Sequence, residues 1–374
     1  MGRKLRIAIL GTRGIPARYG GFETFAEQLS LRLLSRGHEV LVYGRWYLGD
    51  SPQKSSDYLG VTTIPTFTIR QKYIETPLNA ITASLDLIRR DVDVVLMCNA
   101  ANAPMAWILK CGRLPLAINV DGIERRRTKW SKIGKAWYRL GEICSVLFAD
   151  SVISDAYTIE DYYLETYGCS SDVIPYGSTV TKREAGSTLA EFGLTPGEYI
   201  LYVSRMEPEN NALGVVQAYN QSKVALPLVM VGDAPYAKEY IDQVKQAAGP
   251  GVIFTGYQFA ERYQELQTHA YMYIQGSEVG GTHPALVEAM GYGNCIIANG
   301  TPEHIEVLGG AGAYYFRNDF SDLSRQIEFL VKNRDVATSY GVLAEERAQK
   351  LFSWEAVTDK YESLFNRLVD KNTH

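Results

Sequence analysis

Short apolar runs alternate along the chain with longer stretches in which apolar residues return every three or four positions. The runs are typical of buried strands, and the longer stretches, such as the one with Phe22, Phe25 and Leu29, predict helices. The predicted strands are residues 7–10, 40–43, 92–97, 116–120 and 152–154, followed by 199–203, 228–231, 252–255, 272–274 and 295–298. Such alternation predicts an α/β protein with two Rossmann-like domains facing a central cleft.

The boundary between the two domains is predicted where the pattern is weakest, in the polar stretch 178–195. This gives an N-terminal domain of residues 1–180 and a C-terminal domain of residues 181–350. Residues 351–374 form a last predicted helix with one apolar stripe, which we expect to pack back on the N-terminal domain. A chain of 374 residues is long enough for two separate cores.

Composition and charge exclude several classes of protein. The net charge of −4 argues against nucleic acid as the main partner. The five cysteines are scattered without a CxxC pair, so we expect reduced thiols rather than disulfides or structural zinc. The histidines lack metal-binding spacing, and no apolar run approaches the ~20 residues of a membrane span. We therefore expect a cytoplasmic protein without metal or other cofactor.

A loop rich in glycine and arginine follows the first predicted strand. Its glycines and arginines are Gly11, Gly14, Gly20, Gly21, Arg13 and Arg18. Glycine between a strand and a helix lets backbone N–H groups approach a phosphate. The spacing is not that of the GxGxxG dinucleotide fingerprint, and an ordinary surface turn is the alternative.

Two loops of the C-terminal half also suit a phosphate. In one, Pro284 opens a helix, and the N–H groups expected to hold an anion are those of Gly281, Thr282, Ala285 and Leu286. Glu288, one turn further, can accept hydrogen bonds from ribose hydroxyls or simply suit the helix dipole. In the other loop, Arg205 follows a strand and can clamp a diphosphate; a solvated surface arginine is the alternative.

Polar residues follow three strands of the N-terminal half. Asp121 comes directly after a strand, so its carboxylate should point into the cleft near the reacting carbon, unless it caps a helix. Asp155 and Tyr176 also stand at predicted strand ends. Each can be a substrate contact or a structural hydrogen-bonding group.

A basic segment with aromatic residues spans positions 125–139. It contains seven basic residues, among them Lys129, Lys132 and Lys135, and places Trp130, Ile133 and Trp137 at helical spacing. Cations beside aromatic anchors suit an anionic membrane surface and a lipid-diphosphate acceptor. An amphipathic helix whose tryptophans pack in the core is the other interpretation.

At these motifs the chain resembles the GT-B glycosyltransferases of the large retaining family 4. The matching motifs are GGFE (20–23), RGHEV (36–40), VSR (203–205), VEAM (287–290) and FSWE (352–355). More narrowly, GTRGIP (11–16), DGIE (121–124), EPENN (207–211) and GGTHP (280–284) resemble bacterial rhamnosyltransferases that build capsule and cell-wall polysaccharide.

The chain departs from the family pattern at four positions. Gly280 stands where the first of two family glutamates is usual, and Glu288 matches the second. Asn210 replaces a lysine that normally follows the arginine by five residues. Arg125 and His283 replace a tryptophan and an asparagine. The loss of a carboxylate at position 280 suits a donor sugar that lacks the usual polar contacts.

The resemblance implies a role for each candidate residue. Expected catalytic residues are Asp121, Asp155 and Arg205; expected donor-binding residues are Gly20, Gly21, Arg205, Asn210, Gly280, Gly281, Thr282 and Glu288; expected acceptor-binding residues are Arg18, Glu23, Lys129 and Tyr176. No metal ligand is expected, because Arg205 and helix dipoles can stabilise a leaving diphosphate.

The expected reaction transfers L-rhamnose from dTDP-rhamnose, with retention, to a lipid-linked glycan at the inner face of the membrane. The alternatives are glucosyl, galactosyl or mannosyl transfer from UDP- or GDP-sugars, or a sugar-nucleotide epimerase on the same fold. A sugar-binding scaffold subunit without activity is the non-enzymatic alternative.

Overall fold

The structure is a computed structural model that describes residues 3–17, 21–48, 55–71, 73–126, 130–178, 180–234 and 236–372. The chain forms two compact units. Unit 1 contains residues 1–177 together with the C-terminal residues 354–374, and unit 2 contains residues 178–353. The last helix therefore belongs to the same unit as the N-terminus.

Unit 1 is built on an eight-stranded sheet with the order β3-β4-β2-β1-β5-β6-β7-β8. Its strands are β1 (Arg6–Leu10), β2 (Glu39–Arg45), β3 (Ser56–Tyr58), β4 (Val61–Thr66), β5 (Val94–Cys98), β6 (Leu116–Asn119), β7 (Ser151–Ser154) and β8 (Asp172–Val173). All neighbouring strands are parallel except β3 and β4. In the centre, Ile9 pairs with Val42 on one side and Leu96 on the other.

Helices cover both faces of this sheet. They are α1 (Gly21–Ser35), α2 (Glu75–Leu87), α3 (Ala106–Cys111), α4 (Lys132–Phe148), α5 (Tyr157–Tyr167) and, after unit 2, α14 (Trp354–Asn372); short 3-10 helices lie at Ala100–Met105 and Glu124–Arg126. Successive side chains of a strand point to opposite faces. Ile7 and Ile9 accordingly join the core with α1 and α14, whereas Ala8 and Leu10 join the core on the other face.

The C-terminal helix α14 is fixed to unit 1 by aromatic and polar contacts. The Tyr361 ring lies 5.3 Å from the ring of Phe25, and Trp354 lies 6.2 Å from the same ring. The Leu5 N–H donates to His38 Nδ1, so His38 Nε2 carries a proton and can donate to Glu362 at 3.0 Å. Residues separated by more than 300 positions thus complete one core.

Unit 2 is built on a six-stranded parallel sheet with the order β11-β10-β9-β12-β13-β14. Its strands are β9 (Ile200–Val203), β10 (Leu228–Val231), β11 (Val252–Gly256), β12 (Met272–Gln275), β13 (Cys295–Asn299) and β14 (Ala313–Tyr315). Its helices are α6 (Ser187–Glu191), α7 (Ala212–Ser222), α8 (Lys238–Ala247), α9 (Ala260–Thr268), α10 (Pro284–Gly291), α11 (Pro302–Leu308), α12 (Phe320–Lys332) and α13 (Arg334–Leu351), with a 3-10 helix at Pro208–Asn210.

The strand order reverses at one point in each sheet. The reversal lies between β1 and β5 in unit 1 and between β9 and β12 in unit 2. In open α/β sheets, ligands bind at such a point, beyond the carboxyl ends of the strands. The loops that follow β9 and β12 are the two loops of unit 2 for which the sequence predicts phosphate binding.

Candidate functional site

The loops after β9 and β12 in unit 2 are joined to each other at the reversal point. The backbone N–H of Glu278 donates to the carbonyl of Glu209 at 2.9 Å. A Cβ atom on Gly276 would lie 2.9 Å from the carbonyl oxygen of Asn210, so the close approach of the two loops requires glycine there. Arg205 and the loop that leads into α10 are therefore held at one edge of the sheet.

Arg205 lies in the first of these loops with a partly exposed side chain. Its Nη2 lies 3.6 Å from Oε2 of Glu207, which is buried and also accepts a hydrogen bond from the Tyr236 hydroxyl at 2.8 Å. This pair holds the guanidinium at the partly exposed surface of the loop.

Asn210, for which the sequence predicts donor binding, is placed differently from Arg205. Its side-chain Nδ2 donates to the carbonyl oxygen of Arg205 at 2.7 Å, and its own carbonyl accepts from the Tyr202 hydroxyl at 2.7 Å. In this structure Asn210 is buried and shapes the loop that carries Arg205.

The loop after β12 leads into α10 through two glycines and a buried threonine. Gly280 has φ of +149°, and Gly281 and Thr282 are buried beside the helix start. The carbonyl of His283 accepts from the N–H groups of Leu286 and Val287 at 3.0 and 3.2 Å. The expectation that the Leu286 N–H holds an anion is therefore wrong, because that group already closes the first turn of the helix.

His283 is held by a buried polar network at the end of β12. Ser277 Oγ lies 3.0 Å from His283 Nε2, 3.3 Å from His304 Nε2 and 2.5 Å from Gln275 Nε2. Burial lowers the pKa of His304 to about 4, so that ring is neutral, and its Nδ1 donates to the carbonyl of Asn299 at 2.8 Å. Any Cβ atom at Gly280 would lie 2.6 Å from His283 Cε1, so the ring occupies the space beside Gly280.

Glu288 lies in α10 and is half-buried. The Tyr263 hydroxyl donates to Glu288 Oε2 at 2.5 Å, and Gln267 Nε2 donates to the Tyr263 hydroxyl at 2.9 Å. Burial raises the pKa of Glu288 from 4.5 to about 7, and the hydrogen bond from Tyr263 partly opposes this rise. The group is therefore close to its titration midpoint at neutral pH.

In unit 1, Asp121 and Asp155 lie near one another at the carboxyl ends of β6 and β7. The negative charges of both raise the pKa of Tyr176 and that of Tyr361, in addition to the larger effect of burial. Asp121 has φ of +58°, and its N–H donates to Asn119 Oδ1 at 2.9 Å. The structure thus brings together three residues that the sequence predicts separately.

Tyr176, an expected acceptor contact, is a buried core residue. Its ring lies 5.7 Å from the Phe25 ring and 6.4 Å from the Phe22 ring. Glu23 is also buried, and its Oε1 accepts from the Arg13 N–H at 2.8 Å, so it orders the first loop. Burial raises the pKa of Glu23. Gly21 opens α1, whereas Arg18, Gly20 and Lys129 lie outside the described residues.

Three asparagines to which the sequence analysis gave no role hold loops of unit 2 together. Asn211, with φ of +61°, donates to the carbonyl of Gly276 at 2.8 Å and to Asn318 Oδ1 at 3.0 Å. Asn299 donates to Asn318 Oδ1 at 2.9 Å. The available signal was an asparagine at or soon after a buried strand, the position in which a left-handed backbone and a short amide are useful.

Within the described ranges, no group of three or more histidine, cysteine, aspartate or glutamate side chains is placed to hold a metal ion. Among the same residues, no helix is both long and apolar enough to cross a membrane.

Two sequence families match the chain, one in each half. Residues 191–347 match the family described as Glycosyl transferases group 1, and residues 4–179 match a domain of unknown function, DUF1972. The match to the group 1 glycosyl transferases lies within unit 2.

Two curated relatives match part of the chain. O-antigen chain mannosyltransferase B of Escherichia coli is 30% identical over 199 residues, which are 51% of this chain and 50% of the relative. Uncharacterized glycosyltransferase MJ1069 of Methanocaldococcus jannaschii is 24% identical over 240 residues, or 59% of each. The chain spans about half the length of the curated relatives it matches.

Solved structures resemble the whole chain in fold. Sucrose-phosphate synthase of Thermosynechococcus elongatus gives a TM-score of 0.84 at 19% identity and covers 99% of this chain and 100% of its own. Anabaena Alr3699/HepE in complex with UDP-glucose gives 0.78 at 16% identity, covering 96% and 99%. A glycosyltransferase from Rickettsia africae gives 0.78 at 16%, covering 98% and 99%. The predicted GT-B fold with two parallel-sheet domains is confirmed.

Proposed function

We propose that this protein is a glycosyltransferase that moves a hexose from a nucleotide diphosphate sugar to a hydroxyl group of a glycan. One observation carries the proposal. Arg205 and the start of α10 follow two adjacent strands, β9 and β12, at the reversal point of unit 2, the half that matches the group 1 glycosyltransferases. A cation and a helix N-terminus at one strand edge suit a diphosphate.

The donor is proposed to bind unit 2 through its diphosphate and its ribose. The N–H groups of Gly281, Thr282 and Ala285 stand at the N-terminal end of α10 and can donate to phosphate oxygens, with Arg205 beside them. Glu288, oriented by the Tyr263 hydroxyl, can accept hydrogen bonds from ribose hydroxyls or from the 3′ hydroxyl of deoxyribose.

The proposed donor sugar is L-rhamnose, supplied as dTDP-rhamnose. The narrower motif resemblance supports it, as does Gly280, which provides no carboxylate to a sugar hydroxyl. Mannose from GDP-mannose is the second candidate, because the E. coli relative is named as a mannosyltransferase. That relative's name, which refers to an O-antigen chain, also supports a role in polysaccharide synthesis. We propose a lipid-linked saccharide as the acceptor.

The proposed mechanism retains the anomeric configuration and uses no metal ion. The bond between the anomeric carbon and the phosphate oxygen breaks while the acceptor oxygen attacks from the same face. The departing phosphate takes the proton of the acceptor hydroxyl, and Arg205 with the helix dipole stabilises the charge that develops on it. Asp121 and Asp155 are proposed to act in unit 1, where they can hold the acceptor.

A panel of sugar nucleotides tests the proposal. The full-length protein is incubated with dTDP-rhamnose, GDP-mannose, UDP-glucose, UDP-galactose and UDP-N-acetylglucosamine, with and without a lipid-linked saccharide, and the nucleotide released is measured. We expect release with dTDP-rhamnose, stimulated by the acceptor. Release with GDP-mannose alone would select the second sugar. Turnover of free UDP-N-acetylglucosamine would instead identify an epimerase, and binding without turnover would identify a scaffold subunit.

A further inference from the structure

An apolar stripe on α4 of unit 1 is exposed to solvent. Ile133 is 79% exposed, Leu140 43%, Ile143 37% and Leu147 68%. With the exposed Ala136, these residues lie three or four positions apart, within an arc of about 80° on the helix surface. The opposite side of α4, which includes Tyr138 and Ser145, is buried against unit 1.

The tryptophans of this region do not contribute to the stripe. Trp130 Nε1 donates to Glu124 Oε2 at 3.2 Å, and its ring lies 5.0 Å from the Tyr138 ring. Trp137 Nε1 donates to the carbonyl of Ala101 at 3.0 Å. Both indoles are therefore bound to unit 1, and the exposed apolar surface is aliphatic.

Cations run along one side of the stripe without exposed carboxylates between them. Lys132 and Lys135 are exposed on α4, and Arg139, also exposed, lies 3.6 Å from Glu142 Oε2 and over the Tyr167 ring at 4.8 Å. Glu142 is the single acidic residue of Lys132–Phe148, and it is buried, where it accepts from the Tyr162 and Tyr167 hydroxyls at 2.7 and 2.6 Å. The exposed face of α4 is thus apolar and positively charged in a protein whose net charge is −4.

Exposed aromatic residues also occur on elements that neighbour α4. α2 and α4 both pack on the 3-10 helix Ala100–Met105, and α3 packs against both helices. Trp107 on α3 is 50% exposed. Tyr73, also half-exposed, lies just before α2, and its hydroxyl is 3.5 Å from the hydroxyl of Ser131, the N-cap of α4.

We propose that the exposed face of α4, with its aliphatic stripe and its lysines Lys132 and Lys135, binds the surface of an anionic lipid bilayer. A helix of this kind lies in the headgroup layer, where the aliphatic side chains enter the acyl boundary and the cations meet lipid phosphates. The charge pattern selects lipid over a second copy of the chain, because two such faces would repel each other. This inference is independent of the proposed transfer reaction, since lipid binding requires neither donor nor acceptor.

Vesicle sedimentation of the full-length protein tests the inference. Partition is measured on vesicles of phosphatidylcholine alone and on vesicles that contain phosphatidylglycerol. Lys132→Gln/Lys135→Gln should weaken partition on the anionic vesicles about 25-fold, because each cation near the surface strengthens binding roughly fivefold. Ile133→Ser/Leu147→Ser should weaken it at least about tenfold, because apolar area is no longer withdrawn from water.

Matched variants in unit 2 control for charge and surface apolarity. Lys238→Gln/Lys245→Gln removes two exposed lysines from α8, and Val342→Ser/Leu343→Ser removes two exposed aliphatic residues from α13. Both should partition like the wild type. Equal binding to the two kinds of vesicle, or wild-type binding by both α4 variants, would overturn the inference. A third result would also overturn it. In this result the wild type is a dimer without lipid, and Ile133→Ser/Leu147→Ser makes it a monomer but leaves its partition on anionic vesicles unchanged.

Discussion

The Glu288→Gln substitution separates the ionisation of this residue from its packing. Burial raises the pKa of Glu288 from 4.5 to about 7, while Tyr263 donates to it at 2.5 Å. Glutamine has nearly the same shape, and its carbonyl oxygen can still accept from the Tyr263 hydroxyl, but it does not ionise. The variant should therefore lose one pH-dependent contribution to the stability of unit 2.

The sign of this contribution follows from the direction of the pKa shift. The folded state binds the Glu288 proton more tightly than the unfolded state, so the stabilisation is complete below pH 4.5 and is lost as the pH rises through about 7. The full loss is about 3 kcal/mol, from ~1.36 kcal/mol for each pKa unit. Between pH 5 and pH 8 the loss is about 2.5 kcal/mol, or about seventyfold in the unfolding equilibrium. Tyr263→Phe should enlarge it, because the hydrogen bond from Tyr263 lowers the pKa.

Cys295 provides a probe of the stability of unit 2. It is buried in β13, and the other four cysteines lie in unit 1. An activated disulfide that reacts at acid pH labels Cys295 when unit 2 opens, and mass spectrometry measures the labelling rate. Division by the rate at which the same reagent labels a free thiol at that pH gives the opening constant of unit 2. All five tryptophans lie in unit 1, so their fluorescence monitors that unit during the same experiment.

The opening constant of the wild type divided by that of Glu288→Gln should rise about seventyfold from pH 5 to pH 8. Glu239→Gln, at an exposed position of α8, should give a ratio that does not change with pH. A constant ratio for Glu288→Gln, or wild-type protection that increases with pH relative to the variant, would refute the raised pKa.

Three further predictions concern the candidate donor site. Arg205→Ala should lower kcat ~10²–10³-fold and Arg205→Lys should restore part of it, whereas Arg325→Ala on α12 should have no effect; normal turnover by Arg205→Ala would remove it from the mechanism. In calorimetric titrations, Glu288→Ala should weaken donor binding by ~1.5–3 kcal/mol, and wild type should bind dTDP at least as tightly as UDP; a strong preference for GDP would contradict the proposed donor. Gly280→Ala should destabilise unit 2 by about 1–3 kcal/mol in the Cys295 labelling assay, because φ is +149° and the new Cβ meets His283. Gly310→Ala, where a Cβ meets open space, should change the stability of unit 2 by less than ~0.5 kcal/mol. Equal effects of the two substitutions would exclude strain at Gly280.

The long apolar strands could be predicted from the sequence, including β11 at one edge of unit 2, whereas four short or mixed strands could not. Strands such as β1 and β13 are buried on both faces, so they read as continuous apolar runs. β3, β8 and β14 have only two or three residues each, and β4 mixes threonine and proline with its apolar positions. Such segments become strands because a neighbouring strand supplies hydrogen bonds, which leaves little trace in local composition.

The positions of the candidate residues after strands could likewise be predicted, but the environments of their side chains could not. Arg205 and Glu288 were predicted from their places after a strand and in the first turns of a helix. The pKa of Glu288 depends on Tyr263, which belongs to a different helix. The side chain of Asn210 is directed to the Arg205 carbonyl by the shape of the loop, so the same motif position serves the backbone in this structure.

The sequence by itself determined the alternation of strands and helices, and with it the two parallel sheets and the loops at their carboxyl ends. These follow from periodicity and turn chemistry, which act between residues a few positions apart. The tertiary structure decided that Tyr176 is buried, and that Trp130 and Trp137 hydrogen-bond to other parts of unit 1 while the aliphatic stripe of α4 faces solvent. A helix has several faces that can be buried, and which of them is buried depends on partners distant in the chain, so local sequence does not decide it.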